Sequence, residues 1–109
     1  MTPMNEADFQ RQATAILGRI EEAIETSDAD IDFENSGDIL TLEFTNGSKI
    51  IVNKQAAAHQ IWVAARSGGL HYNFDATKKY WVNDQNGNEL FAELSRLASE
   101  QSGTRVILL

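Results

Sequence analysis

Apolar and small side chains recur at Phe9, Ala13, Ile16, Leu17, Ile20, Ala23 and Ile24, the i, i+4, i+7, i+8 stripe of an amphipathic helix. The spacing predicts a first helix over about residues 5–26. Glu21, Glu22 and Glu25 fall largely off the stripe, and the i,i+4 pair Glu21/Glu25 is a like-charge contact costing a few tenths of a kcal/mol. At Asp30-Ile-Asp-Phe-Glu34 the period changes to two, with Ile31 and Phe33 on one face and the three acids on the other, which predicts a short strand with an acidic outer face. Leu40, Leu42 and Phe44 then alternate with Thr41, Glu43 and Thr45, and Asn46-Gly47 offers a φ > 0 pair for a tight hairpin into Lys49-Ile-Ile-Val-Asn53.

Three further strand-like runs follow at Gln60–Ala65, Leu70–Asp75 and Tyr80–Asn83, punctuated by Gly68-Gly69 and by the polar stretch Asp75–Lys79. Helical spacing returns at Leu90, Phe91, Leu94, Leu97 and Ala98, with Gly103 placed to stop the helix. The apolar end Thr104–Leu109 is expected to pack along the groove between helices and sheet. Helix, consecutive short strands, helix is an α+β order. It predicts two helices packed on one face of a five- to six-stranded antiparallel sheet, with the other face solvated. No repeat or linker interrupts the pattern, so residues 1–109 read as one unit.

Charge changes this picture. The 109 residues carry a formal net charge of -7. Residues 1–34 hold Glu6, Asp8, Glu21, Glu22, Glu25, Asp28, Asp30, Asp32 and Glu34 against Arg11 and Arg19 alone, while acids and bases balance from residue 35 onward. Such a cluster is a solvated face, a cation site or a docking surface for a basic partner, and composition does not separate the three. An acidic chain is a poor binder of phosphate backbones, so no nucleic-acid partner is expected. The first residues show neither a basic segment nor an apolar core, and no window is long enough to span a membrane, so the expected location is the cytoplasm.

With no cysteine in the chain, thiolate nucleophiles and Cys-based zinc or Fe–S ligation are excluded. His59 and His71 lie in no catalytic motif and read as surface or turn residues, and Gly68-Gly69 is no phosphate loop because a strand rather than a helix follows it. An enzyme is not expected. The run Asp28-Ala-Asp30-Ile-Asp32 imitates the start of an EF-hand loop, but Phe33 stands where the sharp turn wants Gly and Ile39 where a bidentate Glu belongs. On a strand, Asp30, Asp32 and Glu34 are spaced by about 6.6–6.8 Å, too far for all three to chelate one ion without help from the helix, so they form a row of separate, hard, weak oxygen sites suited to Fe²⁺, Fe³⁺, Mn²⁺, Ca²⁺ or Mg²⁺. Alternation places Trp62 on the open face of the sheet, either as one half of a cross-strand aromatic pair or as a contact for a protein partner. Trp81 is a core candidate without an assigned role.

Taken in order, the chain resembles the bacterial frataxin (CyaY) family. The features are the acidic first helix through Ile20-Glu-Glu22, then Asp30-Ile-Asp32, Leu40-Thr-Leu-Glu-Phe44 and Asn46-Gly-Ser-Lys-Ile-Ile-Val-Asn-Lys-Gln55, followed by His59-Gln-Ile-Trp62, Gly68-Gly-Leu-His-Tyr-Asn-Phe74, Trp81 and Gly87-Asn-Glu-Leu-Phe91. The resemblance implies an α-β sandwich that binds Fe²⁺/Fe³⁺ weakly and acts in iron–sulfur cluster assembly, as an iron-dependent regulator of the cysteine desulfurase or an iron donor to the scaffold protein. Carried over, the metal ridge is Glu21, Glu22, Glu25, Asp28, Asp30, Asp32 and Glu34, and the partner-binding residues are Trp62, Asp30, Asp32 and Glu22. It further implies a monomer able to assemble when loaded with iron. Two alternatives stay open: an interaction module whose acids only dock, and a weak ferroxidase.

Overall fold

The computed structural model describes residues 4–109; Met1, Thr2 and Pro3, part of the segment read for a leader, lie outside them. The elements are α1 (Glu6–Thr26), β1 (Ile31–Ser36), β2 (Ile39–Phe44), β3 (Lys49–Gln55), a 3₁₀ turn (Ala56–Ala58), β4 (Gln60–Ala65), β5 (Gly68–Asp75), β6 (Tyr80–Asn83) and α2 (Leu90–Ser102). The six strands pair antiparallel in sequence order, and both helices pack on one face of the meander. Among the described residues no helix is long and apolar enough to cross a membrane.

The core is built from the α1 stripe Phe9, Ala13, Ile16, Leu17, Ile20, Ala23 and Ile24, the inward strand residues such as Leu40, Leu42, Ile50, Val52, Ile61 and Val63, and the α2 residues Leu90, Phe91, Leu94 and Leu97. Trp81, 1% exposed, lies between Phe9 (ring centroids 6.2 Å, edge-on) and Phe74 (5.4 Å), joining the first helix to the last two strands. Asn5 caps α1 by accepting from the Asp8 N–H at 2.8 Å, and Gly103, at φ 76°, ends α2 in the left-handed conformation. Beyond it the tail runs antiparallel to α2. The Val106 and Leu108 N–H groups donate to the Ser99 and Ser95 hydroxyls, 2.8 Å each, while their side chains are buried.

Three turns differ from the sequence reading. Only Gly47, at φ 85°, has positive φ in the Asn46-Gly47 turn. The Phe44 N–H bonds the Ser48 carbonyl and the Gly47 N–H bonds the Phe44 carbonyl, 2.9 Å each, making a three-residue loop whose left-handed residue forms a bulge. The Asn46 side chain is thereby released to reach the Gln101 carbonyl at 2.7 Å. Gly68 and Gly69 do not end a strand but belong to β5, Arg66 and Ser67 making the turn between the paired Ala65 and Gly68. The first strand begins at Ile31 and extends to Ser36, because Gly37 (φ 63°) opens a two-residue turn that pairs Ser36 with Ile39. Asp30 therefore precedes the strand.

α2 carries two polar residues on its apolar face. Glu93, 4% exposed, accepts from the Tyr72 hydroxyl at 2.7 Å, Asn83 Nδ2 at 2.8 Å and Asn88 Nδ2 at 3.2 Å, with Arg96 Nη2 at 3.6 Å. Burial pulls its carboxyl upward, but these donors and the Arg96 charge outweigh it, so its pKa lies below the usual value. Burial, followed by the bond to Glu93 and its charge, drives the Tyr72 phenol far upward. A little over two turns further along from Glu93, Gln101 accepts from the Arg66 N–H at 2.9 Å and donates to Ser48 Oγ at 3.1 Å and the Lys49 carbonyl at 3.2 Å.

Candidate functional site

The connection from α1 to β1 folds back tightly, so helix acids and strand acids arrive at one rim of the molecule, and the structure divides them into three groups. On α1, Glu22 and Glu25 are exposed, while Glu21 reaches over β1 to accept from Asn35 Nδ2 at 3.0 Å. That bond gives Glu21 a strand-side partner. Asp28 and Asp30 are exposed in the connection and line a groove of about 550 Å³ shared with Thr26, Ser27 and the tail residues Thr104 to Ile107. Arg105 is part of that wall.

Asp32 and Glu34 form the third group, on the open face of the sheet. Asp32 stands directly opposite Glu43 of β2, and Glu43 opposite Lys49 of β3, with Lys49 Nζ 3.6 Å from Glu43 Oε2. Together with Phe33, Glu34 and Thr41 these residues line a shallow cavity of about 280 Å³. Glu43 and Lys49 were absent from the sequence-derived site. The alternation in β2 placed Glu43 on the outer face, but bringing it beside Asp32 requires the register fixed by the Gly37-Asp38 turn.

Among the described residues no three His, Asp or Glu side chains converge as a metal cage. What the rim offers is single carboxylates and, at Asp32/Glu43, a directly opposed pair. Cross-strand neighbours have Cβ atoms about 4.5–5.5 Å apart, close enough for two carboxylates to approach one cation from both sides.

Trp62 lies away from the acids, on the open face of β4, paired with Asn53 of β3 and His71 of β5. Its indole stacks on the His71 ring (centroids 4.4 Å, planes 17° apart), and its N–H donates to Gln60 Oε1 at 2.7 Å. It is thus one half of a cross-strand ring pair, half-buried with one side still reachable. His71 Nδ1 is 3.8 Å from Asp84 Oδ2. His59, at φ 52°, closes the 3₁₀ turn and stacks on Phe9 (5.2 Å) with Nε2 3.3 Å from Glu6 Oε2, fastening the β3–β4 connection to the start of α1.

The same fold is found in known proteins. The frataxin-like domain family model matches residues 2–104. Proteins named iron-sulfur cluster assembly protein CyaY from Janthinobacterium sp. and Cupriavidus taiwanensis are 49% and 47% identical to this chain. The first match covers 96% of both chains, the second 94% of this chain and 95% of the relative. Among solved structures, frataxin from Psychromonas ingrahamii superposes with a TM-score of 0.87 at 38% identity, over 95% of this chain and 97% of that one. Trimeric yeast frataxin complexed with ferrous iron superposes at 0.65 and 27% identity, over 95% and 91%. Fold, full-length sequence match and family model agree: the chain belongs to the frataxin-like CyaY family.

Proposed function

We propose that this protein binds iron weakly along the α1–β1 rim and serves iron–sulfur cluster assembly by docking that rim on a cysteine desulfurase, either regulating it in response to iron or passing iron to the scaffold. The observation that carries the reading is that Glu21, Glu22, Glu25, Asp28, Asp30, Asp32 and Glu34 follow one another along the end of α1, its short connection and the edge strand β1, with the Asn35–Glu21 bond joining helix and strand. The donors fit iron. All are hard oxygens, all but the half-buried Glu21 are exposed, and separate sites completed by water favour loading that reverses easily. The CyaY relatives are named for iron–sulfur cluster assembly and the yeast neighbour is complexed with ferrous iron, which supports the same chemistry here. Docking would draw on Glu22, Asp30 and Asp32, with Trp62 as a contact on the open face.

Anaerobic titration of ¹⁵N-labelled protein with Fe²⁺ tests the metal half of the reading. Broadening should be confined to residues 21–34 and Glu43; no response there at millimolar iron would dismiss iron binding. A second reading, in which the acids only dock, is favoured by the Lys49 ion pair that occupies Glu43. The double substitution Asp30→Asn with Asp32→Asn separates the two. Under the iron-dependent reading it weakens iron binding and desulfurase control together. Under the docking-only reading, removing iron from the unaltered protein leaves that control intact.

A further inference from the structure

The sheet has one long free edge. At the far side β6 is only four residues long and is covered by the bridge between Val82 and Glu89. β1, by contrast, runs six residues and, among the described residues, has a strand neighbour on one side only. Both main-chain groups of Phe44 are engaged on the β3 side, by Ser48 and Gly47, so its partner Ile31 forms a non-hydrogen-bonded pair with it. Antiparallel pairing alternates. The N–H and C=O groups of Phe33 and Asn35 therefore point away from β2 into the edge, and no described residue bonds to them.

The side chains flanking this edge decide what could pair with it. Asp32 and Glu34 stand on its open-face side, exposed, and Phe33 is half-buried on the helix side. A strand added antiparallel would make its hydrogen-bonded pairs with Phe33 and Asn35. Asp32 and Glu34 then fall in the non-hydrogen-bonded pairs, where opposing Cα atoms come within about 4.5 Å and side chains are closest. A second copy of β1 would set carboxylates against carboxylates there, which like charges directly opposite disfavour. A segment with Lys or Arg at alternate positions and an apolar residue between them meets both carboxylates and covers the Phe33 ring.

We propose that β1 is a strand-addition site for an extended basic segment of a partner protein, of the pattern basic-apolar-basic. The site rests on the docking reading above and adds its geometry: main-chain pairing at Phe33 and Asn35 sets the register, and the acids select the charge.

The test uses the synthetic peptide amide Lys-Val-Lys-Val-Lys-Val and its twin methylated on the valine nitrogens, which carries the same charge but cannot donate to β1. The unmodified peptide should bind at least tenfold more tightly and should slow hydrogen exchange at the Phe33 and Asn35 amides. Asn35→Pro, which removes an edge donor without touching the β1–β2 ladder, should cost a similar factor, whereas Asn35→Ala, which loses only the side-chain bond to Glu21 and keeps the edge donor, should not; proline is tolerated at such a position. Equal affinity for both peptides with unprotected amides would overturn strand addition while leaving charge-led docking standing. Failure of the unmodified peptide to bind, or self-association that protects the same amides without peptide, would also overturn it. If, in addition, Asp32→Asn with Glu34→Gln left desulfurase binding unchanged, the docking reading would fall separately.

Discussion

Glu93 shows how a single carboxylate is made structural. Its oxygens receive three side-chain donors from β5, β6 and the loop before α2, so a neutral amide in its place presents an NH₂ group to donors that need an acceptor. Glu93→Gln should cost about 1–3 kcal/mol, read from urea denaturation at neutral pH. The pH dependence follows from the lowered pKa of Glu93. The stabilisation is fully present above the unfolded carboxyl value of about 4.3 and is lost as pH falls through the lower folded value. The Gln variant should therefore show a shallower loss of stability in that acid range than the unaltered protein. The rim acids differ from Glu93 in kind: Glu22, Glu25, Asp28, Asp30, Asp32 and Glu34 hold no packing together. Their amide variants should unfold within about 0.5 kcal/mol of the unaltered protein, which makes them clean probes of binding.

Element ends are set by backbone conformations that few residues accept. Gly103 ends α2 at φ 76° with open space where a Cβ would stand, so Gly103→Ala should cost about 1–2 kcal/mol through the left-handed backbone alone, seen as a lowered Tm. This stop was legible, as were the stripe of α1 and the alternation of β2 through β4, because each is written in residues close together along the chain. The loops were less so. Asn46-Gly47 accommodates more than one turn type, and the three-residue loop prevails because it lets Asn46 cap the α2 carbonyl of Gln101. Glu93 and Gln101 could not be read as buried, since a polar residue on an apolar stripe is satisfied only by donors and acceptors from other elements. The seven rim acids were named from sequence, but Glu43 was not, because its place beside Asp32 depends on register.

Across the whole molecule, charge is segregated. The α1–β1 rim is acidic, while the centre of the open face, with Ile51, Asn53 and Trp62, is neutral and carries exposed apolar surface at Ile39 and Ile51. Such an arrangement steers a basic partner from a distance and leaves the close contact to uncharged groups. The association rate with a desulfurase should fall by about tenfold or more as salt is raised from low to several-fold physiological strength, with dissociation changing little, in stopped-flow measurements. Trp62→Ala should do the opposite, speeding dissociation and leaving the salt slope unchanged.

The strictly sequential order of the strands has a consequence for how the chain is made. Each strand pairs with the one just before it, so the sheet can grow by local hairpins of low contact order as the polypeptide emerges from the ribosome. α1 comes first and has to wait for that sheet, its Phe9-to-Ile24 stripe bare in the meantime. The carboxylates of the same helix, repelling one another and any neighbouring nascent copy, keep that stripe from sticking while it waits. Of the residues proposed to hold iron in the finished molecule, Glu21, Glu22 and Glu25 lie on this helix and would double as charged flanks of the bare stripe during its synthesis.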